Sequence, residues 1–225
     1  MSHSIIHRGL AKKKFKENTL PAFRYCFKKK FGIETDLHVT KDGKIICFHD
    51  FNLKRKFKIN KLIKNLSFNE INKIAKKFGY YIPELKELIN IAKNKHYLML
   101  EIKSSFSREH LSKLIEQTKK LKFFSITSFN ENNIKNIYKL KKKINLGLCF
   151  ASTSSIQKII KKNKLKHIKI LVMEKRFLSK KKLNVIRKPI YFYTAKSKEI
   201  RNKYKDKNLI FENLYFIFLK NLIFQ

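Results

Sequence analysis

Residues 32–49 read GIETDLHVTKDGKIICFH, and both the fold and the chemistry of the chain turn on how this stretch is laid out. Two runs rich in β-forming residues, Gly32–Val39 and Lys44–His49, are separated only by Thr40, Lys41, Asp42 and Gly43. No helix fits there, so the Asp-Gly pair predicts a hairpin or an irregular excursion of the chain. Centred on Asp42 and Gly43, such a hairpin has facing residue numbers adding to about 85, which sets His49 opposite Asp36. Glu34, Asp36 and His38 alternate along the first arm, so their side chains share one face. Two carboxylates in one row repel unless a cation lies between them, and a hard divalent ion such as Mg2+ or Ca2+ is the usual remedy. His38, close to the turn, is expected to be solvated, with a metal-side or rim position as the alternative.

Outward from this stretch the chain alternates short apolar runs with longer lysine-rich amphipathic segments, the pattern of βα units around a parallel sheet. Strands are expected over Ser4–Arg8, Gly32–Val39, Lys44–His49, Tyr97–Lys103, Phe123–Ser128, Asn145–Ala151, His167–Met173, Pro189–Thr194 and Asn208–Glu212. That is one run more than an eight-stranded (β/α)8 barrel uses, and the hairpin is the natural source of the surplus. Helices fill most of the gaps. Ser67 and Glu70 form a capping box ahead of Ile71, Ile74 and Ala75, and Asn18 or Thr19 starts the helix carrying Ala22, Phe23 and Cys26. The apolar run from Asn213 to Gln225 is too short for a membrane span and reads as a final packed helix.

The whole chain, 1–225, reads as a single barrel domain without repeats or linkers. Its three cysteines, Cys26, Cys47 and Cys149, lack metal-site or disulfide spacing and suit a reducing, cytoplasmic setting. Lysine and arginine total 54 against 16 acids, a formal charge of +38. A nucleic-acid binder could be this basic. The lysines are spread over the whole chain, however, which favours a solvated coat that draws small anions inward.

Acids are therefore scarce, and Glu101 stands out inside the apolar run Tyr97–Ile102, where an unpaired carboxylate is costly. A third metal ligand at a strand end accounts for it. His7 and His49 each close an apolar strand, where barrel enzymes carry their catalytic groups. Histidine suits proton transfer near neutral pH, and Arg8 or Lys103 can hold a phosphate oxygen. A metal, two histidines and cations are the equipment for hydrolysing a phosphodiester.

At these residues the sequence resembles the glycerophosphodiester phosphodiesterase family. The matching motifs are His7-Arg8-Gly9, Glu17-Asn18-Thr19 with Ala22-Phe23, Glu34-Thr35-Asp36 running to Asp42-Gly43, and His49-Asp50 with Leu53 and Arg55. Ile82-Pro83 with Leu85 and Leu88, then Leu100-Glu101-Ile102-Lys103, continue them in the family's order. The resemblance implies a (β/α)8 barrel of the phospholipase C-like phosphodiesterase type, one divalent cation on Glu34, Asp36 and Glu101, and His7 and His49 as the acid/base pair. It puts Arg8 and Lys103 near the phosphate. Glu17, Asn18, Asp50 and Tyr193 stand behind them or on the substrate side. The implied reaction turns a glycerophosphodiester into glycerol 3-phosphate and an alcohol, through attack by the neighbouring glycerol hydroxyl and a cyclic phosphate. A lysophospholipase D-type phosphodiesterase and a non-catalytic basic nucleic-acid-binding barrel are the alternatives, while the leading reading calls for no specific nucleic-acid partner. Departures lie late in the chain: Lys16 replaces a proline, the late strand reads Tyr193-Thr194-Ala195-Lys196, and the terminal pair is Phe211-Glu212.

Overall fold

The computed structural model describes residues 4–212; the expected helix over 213–225 lies outside them. Each of the nine expected runs contains a strand: β1 (Ile5–Ile6), β2 (Gly32–Val39), β3 (Ile45–Cys47), β4 (Leu98–Ile102), β5 (Phe124–Ser128), β6 (Leu146–Phe150), β7 (Ile170–Glu174), β8 (Ile190–Ala195) and β9 (Asn208–Phe211). β1 pairs in parallel with both β2 and β9, which closes eight parallel strands into a barrel. β3 is the surplus strand, antiparallel to β2 and outside the ring. The helices α1 (Leu20–Lys28), α2 (Lys54–Phe57), α3 (Phe68–Lys76), α4 (Leu85–Ala92), α5 (Arg108–Thr118), α6 (Glu131–Leu140), α7 (Ile156–Asn163) and α8 (Lys198–Lys203) fill the crossovers. Between β7 and β8 the connection is made by two short 3-10 turns instead.

Local signals act as the sequence predicts. The Ser67–Glu70 capping box closes reciprocally at the start of α3, and Ile71 and Ala75 are buried behind it. Thr19 is the extended residue before α1, where Pro21 costs no helix hydrogen bond. Serines at 107, 155 and 197 accept a backbone N–H at the first turns of α5, α7 and α8.

The hairpin register differs from the expected one. Leu37 faces Cys47 and His38 faces Ile46, and the Phe48 N–H reaches the Asp36 carbonyl at 2.9 Å, so Phe48, not His49, lies opposite Asp36. The loop holds three residues rather than two. Thr40 and Lys44 bracket it, the Gly43 N–H donates back to the Thr40 carbonyl at 2.9 Å, and Gly43 adopts φ 71°. That is the three-residue hairpin with a left-handed glycine, and the extra residue shifts the pairing by one.

Side-chain alternation then sorts the core. One face of each barrel strand packs against the helices through residues such as Ile33, Leu37, Leu100, Ile102 and Leu148. The other face fills the barrel with Ile5, Tyr97, Met99, Cys149, Ile170, Val172, Tyr191 and Ile210. A satellite cluster of Ile46, Phe48, Leu53, Phe57, Ile71 and Tyr80 anchors the segment after β3. The C-terminal strand ends, left for polar side chains, form the mouth.

Gly147 in β6 marks how tightly the interior is filled: a Cβ there would lie 2.6 Å from Ile170 Cγ1 and 2.9 Å from Thr127 Cγ2. Gly147→Ala should therefore destabilise the fold by about 1–3 kcal/mol through overpacking. Thermal unfolding should register a drop of about 2–4 °C per kcal/mol; an unchanged midpoint would mean that this interior yields more readily than the contacts suggest.

Candidate active site

The row Glu34, Asp36 and His38 does point inward, and β4, hydrogen-bonded beside β2, sets Glu101 next to Asp36 in register. Carboxylate oxygens of Glu34, Asp36 and Glu101 lie within 4.8 Å of one another. Glu34 is 4% and Asp36 1% exposed. Burial, then repulsion from Asp36 and Glu101, drives the Glu34 carboxyl well above its ordinary value, and burial likewise raises Glu101 against the pull of Lys103. Three hard oxygen donors crowded in a dry site are what a divalent cation neutralises, so these residues fit the expected ion.

Arg8 and Lys103 partly offset the acids. Lys103 Nζ donates to Glu101 Oε1 at 2.7 Å and lies 3.5 Å from Asp36 Oδ1. Arg8 follows β1 in a left-handed conformation, φ 51°, which turns its backbone N–H onto Glu34 Oε2 at 3.1 Å and its Nε to 3.3 Å from Asp36 Oδ2. For a side chain other than glycine that conformation costs about 1–2 kcal/mol, offset here by the charge contacts. Burial opposes the Arg8 charge, yet Asp36, Glu34 and Glu17 together raise its pKa, and the same contest holds Lys103 firmly protonated.

Asn18 braces the cluster from behind. Its Nδ2 donates to Asp36 Oδ2 at 3.0 Å and its Oδ1 accepts from the Thr35 hydroxyl at 2.7 Å, so two neighbouring residues of β2 are tied to one side chain. Glu17 lies further out and serves three cations: Arg8 at 3.3 Å, Lys56 at 3.0 Å and Arg55 in a short contact. Although burial favours its neutral form, these partners, Arg55 first, pull the Glu17 carboxyl down to about 2.

His49 reaches the cavity just past β3. Its Nδ1 lies 2.6 Å from Asp50 Oδ1, while Asp50 Oδ2 accepts from Arg55 Nε at 2.6 Å. With the Nδ1 proton directed to Asp50, Nε2 is the nitrogen left to accept a proton. Burial, set against the attraction of Asp36, lowers the His49 pKa, so the ring is neutral at neutral pH. His7 stands at the end of β1 with Glu34 Oε2 3.9 Å from Nε2 and Glu212 Oε2 3.8 Å from Nδ1.

His38 corrects the expectation of a solvated ring. It is 2% exposed, its Nε2 lies 3.2 Å from the His49 carbonyl, and Phe51 meets it edge-on. Burial lowers its pKa to about 4, which keeps the ring neutral. The segment after β3 folds back over the hairpin and covers it. His38 is thus a prop under His49 rather than a rim group.

Glu34, Asp36, Glu101, His7, His49, Arg8, Lys103 and Tyr193 all line one cavity of about 120 Å³. Asn18, Glu17 and Asp50 lie behind it. The sequence reading passed over Thr127, Met99, Val172 and Ile210 in the same wall. Phe129, of the retained Ser128-Phe129 pair, follows β5 directly at the mouth, 43% exposed, with Lys103 Nζ 5.6 Å from its ring centre. Lys56, a third partner for Glu17, had no signal among so many lysines.

Comparison with known proteins agrees with this fold. A sequence model of the glycerophosphoryl diester phosphodiesterase family matches residues 7–209. A glycerophosphodiester phosphodiesterase of Caldanaerobacter subterraneus subsp. tengcongensis is 31% identical over 160 aligned positions, covering 65% of each chain. This chain thus spans slightly under two thirds of that curated relative. The crystal structure of a glycerophosphodiester phosphodiesterase from Thermotoga maritima superposes with TM-score 0.81 at 24% identity, covering 97% of both chains. An Oleispira antarctica phosphodiesterase in complex with sn-glycerol-3-phosphate gives TM-score 0.82 at 20% identity, covering 97% of this chain and 95% of the other. These two share the barrel. No helix among the described residues is long and apolar enough to cross a membrane. Since the family model runs from His7 into the last described strand, β9, the chain belongs to the glycerophosphoryl diester phosphodiesterase family.

Proposed function

We propose that the chain hydrolyses glycerophosphodiesters to glycerol 3-phosphate and an alcohol. The observation that carries this reading is the convergence, in one small cavity, of three buried carboxylates, two cations and two histidines. One divalent cation, Mg2+ or Ca2+, held by Glu34, Asp36 and Glu101, would supply charge to offset the phosphate oxygens. The chain's own groups do the rest. Arg8 and Lys103 hold phosphate oxygens as well as acids. His49, kept in one tautomer by Asp50, exchanges protons through Nε2, and His7, at the end of β1, is the second proton-transfer group. The glycerol hydroxyl beside the phosphate attacks phosphorus as one histidine takes its proton and the other protonates the departing alcohol. Water then opens the cyclic phosphate with the roles exchanged.

Charge balance favours an anionic substrate. Three carboxylates facing Arg8 and Lys103 leave the site one charge negative, a divalent cation turns it one charge positive, and a singly charged phosphodiester neutralises it. Three free, buried cysteines suit a cytoplasmic setting, where deacylated phospholipids could be returned to glycerol 3-phosphate.

Release of glycerol 3-phosphate from glycerophosphocholine and glycerophosphoethanolamine is expected with Mg2+ or Ca2+ and lost in EDTA. No release with either metal would remove the hydrolase reading. His49→Ala should lower turnover by about 10²–10⁴-fold with an unchanged circular dichroism spectrum, and wild-type turnover would exclude His49 from proton transfer. Cation binding should also raise the melting temperature, by the equivalent of about 2.7 kcal/mol at a hundred times Kd. In Glu101→Gln that shift should shrink; if it persists in full, the ion sits elsewhere.

A further inference from the structure

The cavity over the acids, about 120 Å³, falls short of the roughly 300 Å³ at which ordinary ligand pockets begin. It has room for the reacting centre but not for a whole phosphodiester. Past His7, Arg8 and Tyr193, which line both spaces, it continues into an open groove of about 410 Å³ bounded by Arg55, Lys196 and Glu212. The groove is where the rest of a substrate must lie.

Its charged groups are unequally committed. Glu212 has Lys196 Nζ at 3.1 Å on one side and the His7 ring at 3.8 Å on the other. His7 and Lys196, against some burial, hold the Glu212 carboxyl down to about 2, so it is ionised and engaged. Glu17, the other acid in the groove wall, is taken up by Arg8, Arg55 and Lys56. Neither acid is free to meet a cationic group. Besides the His7 imidazole, Tyr193 is the single aromatic side chain lining the groove among the described residues, and its hydroxyl donates to the Phe150 carbonyl at 3.1 Å. Trapping a quaternary ammonium calls for several aromatic faces, which the described residues do not supply. Lys196, by contrast, is 59% exposed and has donors to spare beyond its contact with Glu212.

We propose that this groove seats the departing alcohol and that Lys196 selects alcohols bearing a further carboxylate or phosphate over neutral or cationic ones. The assignment rests on the phosphodiesterase reading of the adjoining cavity. Lys196 starts the turn after β8, so the cation is carried on the rim and the metal site below is undisturbed by its identity.

Glycerophosphoserine and glycerophosphoethanolamine differ by one carboxylate on the alcohol and form a matched pair. Wild-type protein with Mg2+ or Ca2+ should favour the serine compound in kcat/KM by about two- to fivefold, the scale of one solvent-exposed charge pair. The preference should narrow as ionic strength rises. Lys196→Gln should bring the ratio near one, Lys196→Glu should invert it, and Lys196→Arg should keep it. An equal ratio in wild type and all three variants, with turnover intact, would overturn the selection while leaving the hydrolase reading in place. Absence of wild-type turnover on both compounds would overturn that reading and this assignment together.

Discussion

Three carboxylates packed into the end of a parallel barrel set the terms for everything around them. Glu34 and Asp36 share a face because they alternate on β2, and Glu101 joins them because β4 hydrogen-bonds beside β2 in that register. Left alone, like charges in a low-dielectric interior repel by several kcal/mol and force one another to take up protons. The fold restrains that tendency without abolishing it. Arg8 and Lys103 approach from the two flanks, and Asn18 pins Asp36 through an amide. Two cations for three acids leave a deficit that suits a divalent ion, whereas a third lysine would have sealed the site into an inert ion-pair cluster.

The same economy of acids ties His49 to the acid cluster. His49 leans on Asp50, Asp50 on Arg55, Arg55 on Glu17, and Glu17 on Arg8, which returns to Glu34 and Asp36. Glu17 is the buried link in this chain, and its carboxylate keeps Arg8 and Arg55 in place. Arg55 is half exposed, so its own pairs are screened by solvent and orient the imidazole more than they stabilise the fold. Tyr80 closes the frame from the satellite cluster by donating its hydroxyl to the Glu17 carbonyl. The segment after β3 is thus more than a connection: it supplies Arg55 and Lys56 and covers His38.

Much of this was legible in the sequence, because barrel architecture writes itself in short apolar runs and because an acid within an apolar run has few innocent explanations. Each expected strand run contains a strand, and the surplus one is the hairpin arm, as the missing helix between Val39 and Lys44 implied. What stayed hidden depends on backbone angles or on distant packing. The left-handed conformation of Gly43 decides between a two- and a three-residue loop, and hence whether Phe48 or His49 faces Asp36. The burial of His38 follows from Phe51 and the chain beyond it, which no alternation pattern on β2 encodes. Lys56 was indistinguishable from its many neighbours until the fold set it against Glu17.

The charge of the chain is best understood from the same pairings. A molecule at +38 with few acids cannot spend carboxylates on its surface as freely as a balanced one, and of its buried acids Glu17, Glu34 and Asp36 are gathered around the mouth while Glu84 caps α4. Lysines elsewhere remain solvated and contribute a diffuse positive field, which at low salt draws anions toward any concave point of the surface. At the barrel mouth that field meets fixed geometry: Arg8 and Lys103 are held in place by Glu34, Asp36 and Glu101. Attraction is therefore general and discrimination local. A diffuse coat raises encounter with every anion alike, whereas under the proposed function the spacing of Glu34, Asp36 and Glu101 against two cations would decide which phosphates are held in a reactive position.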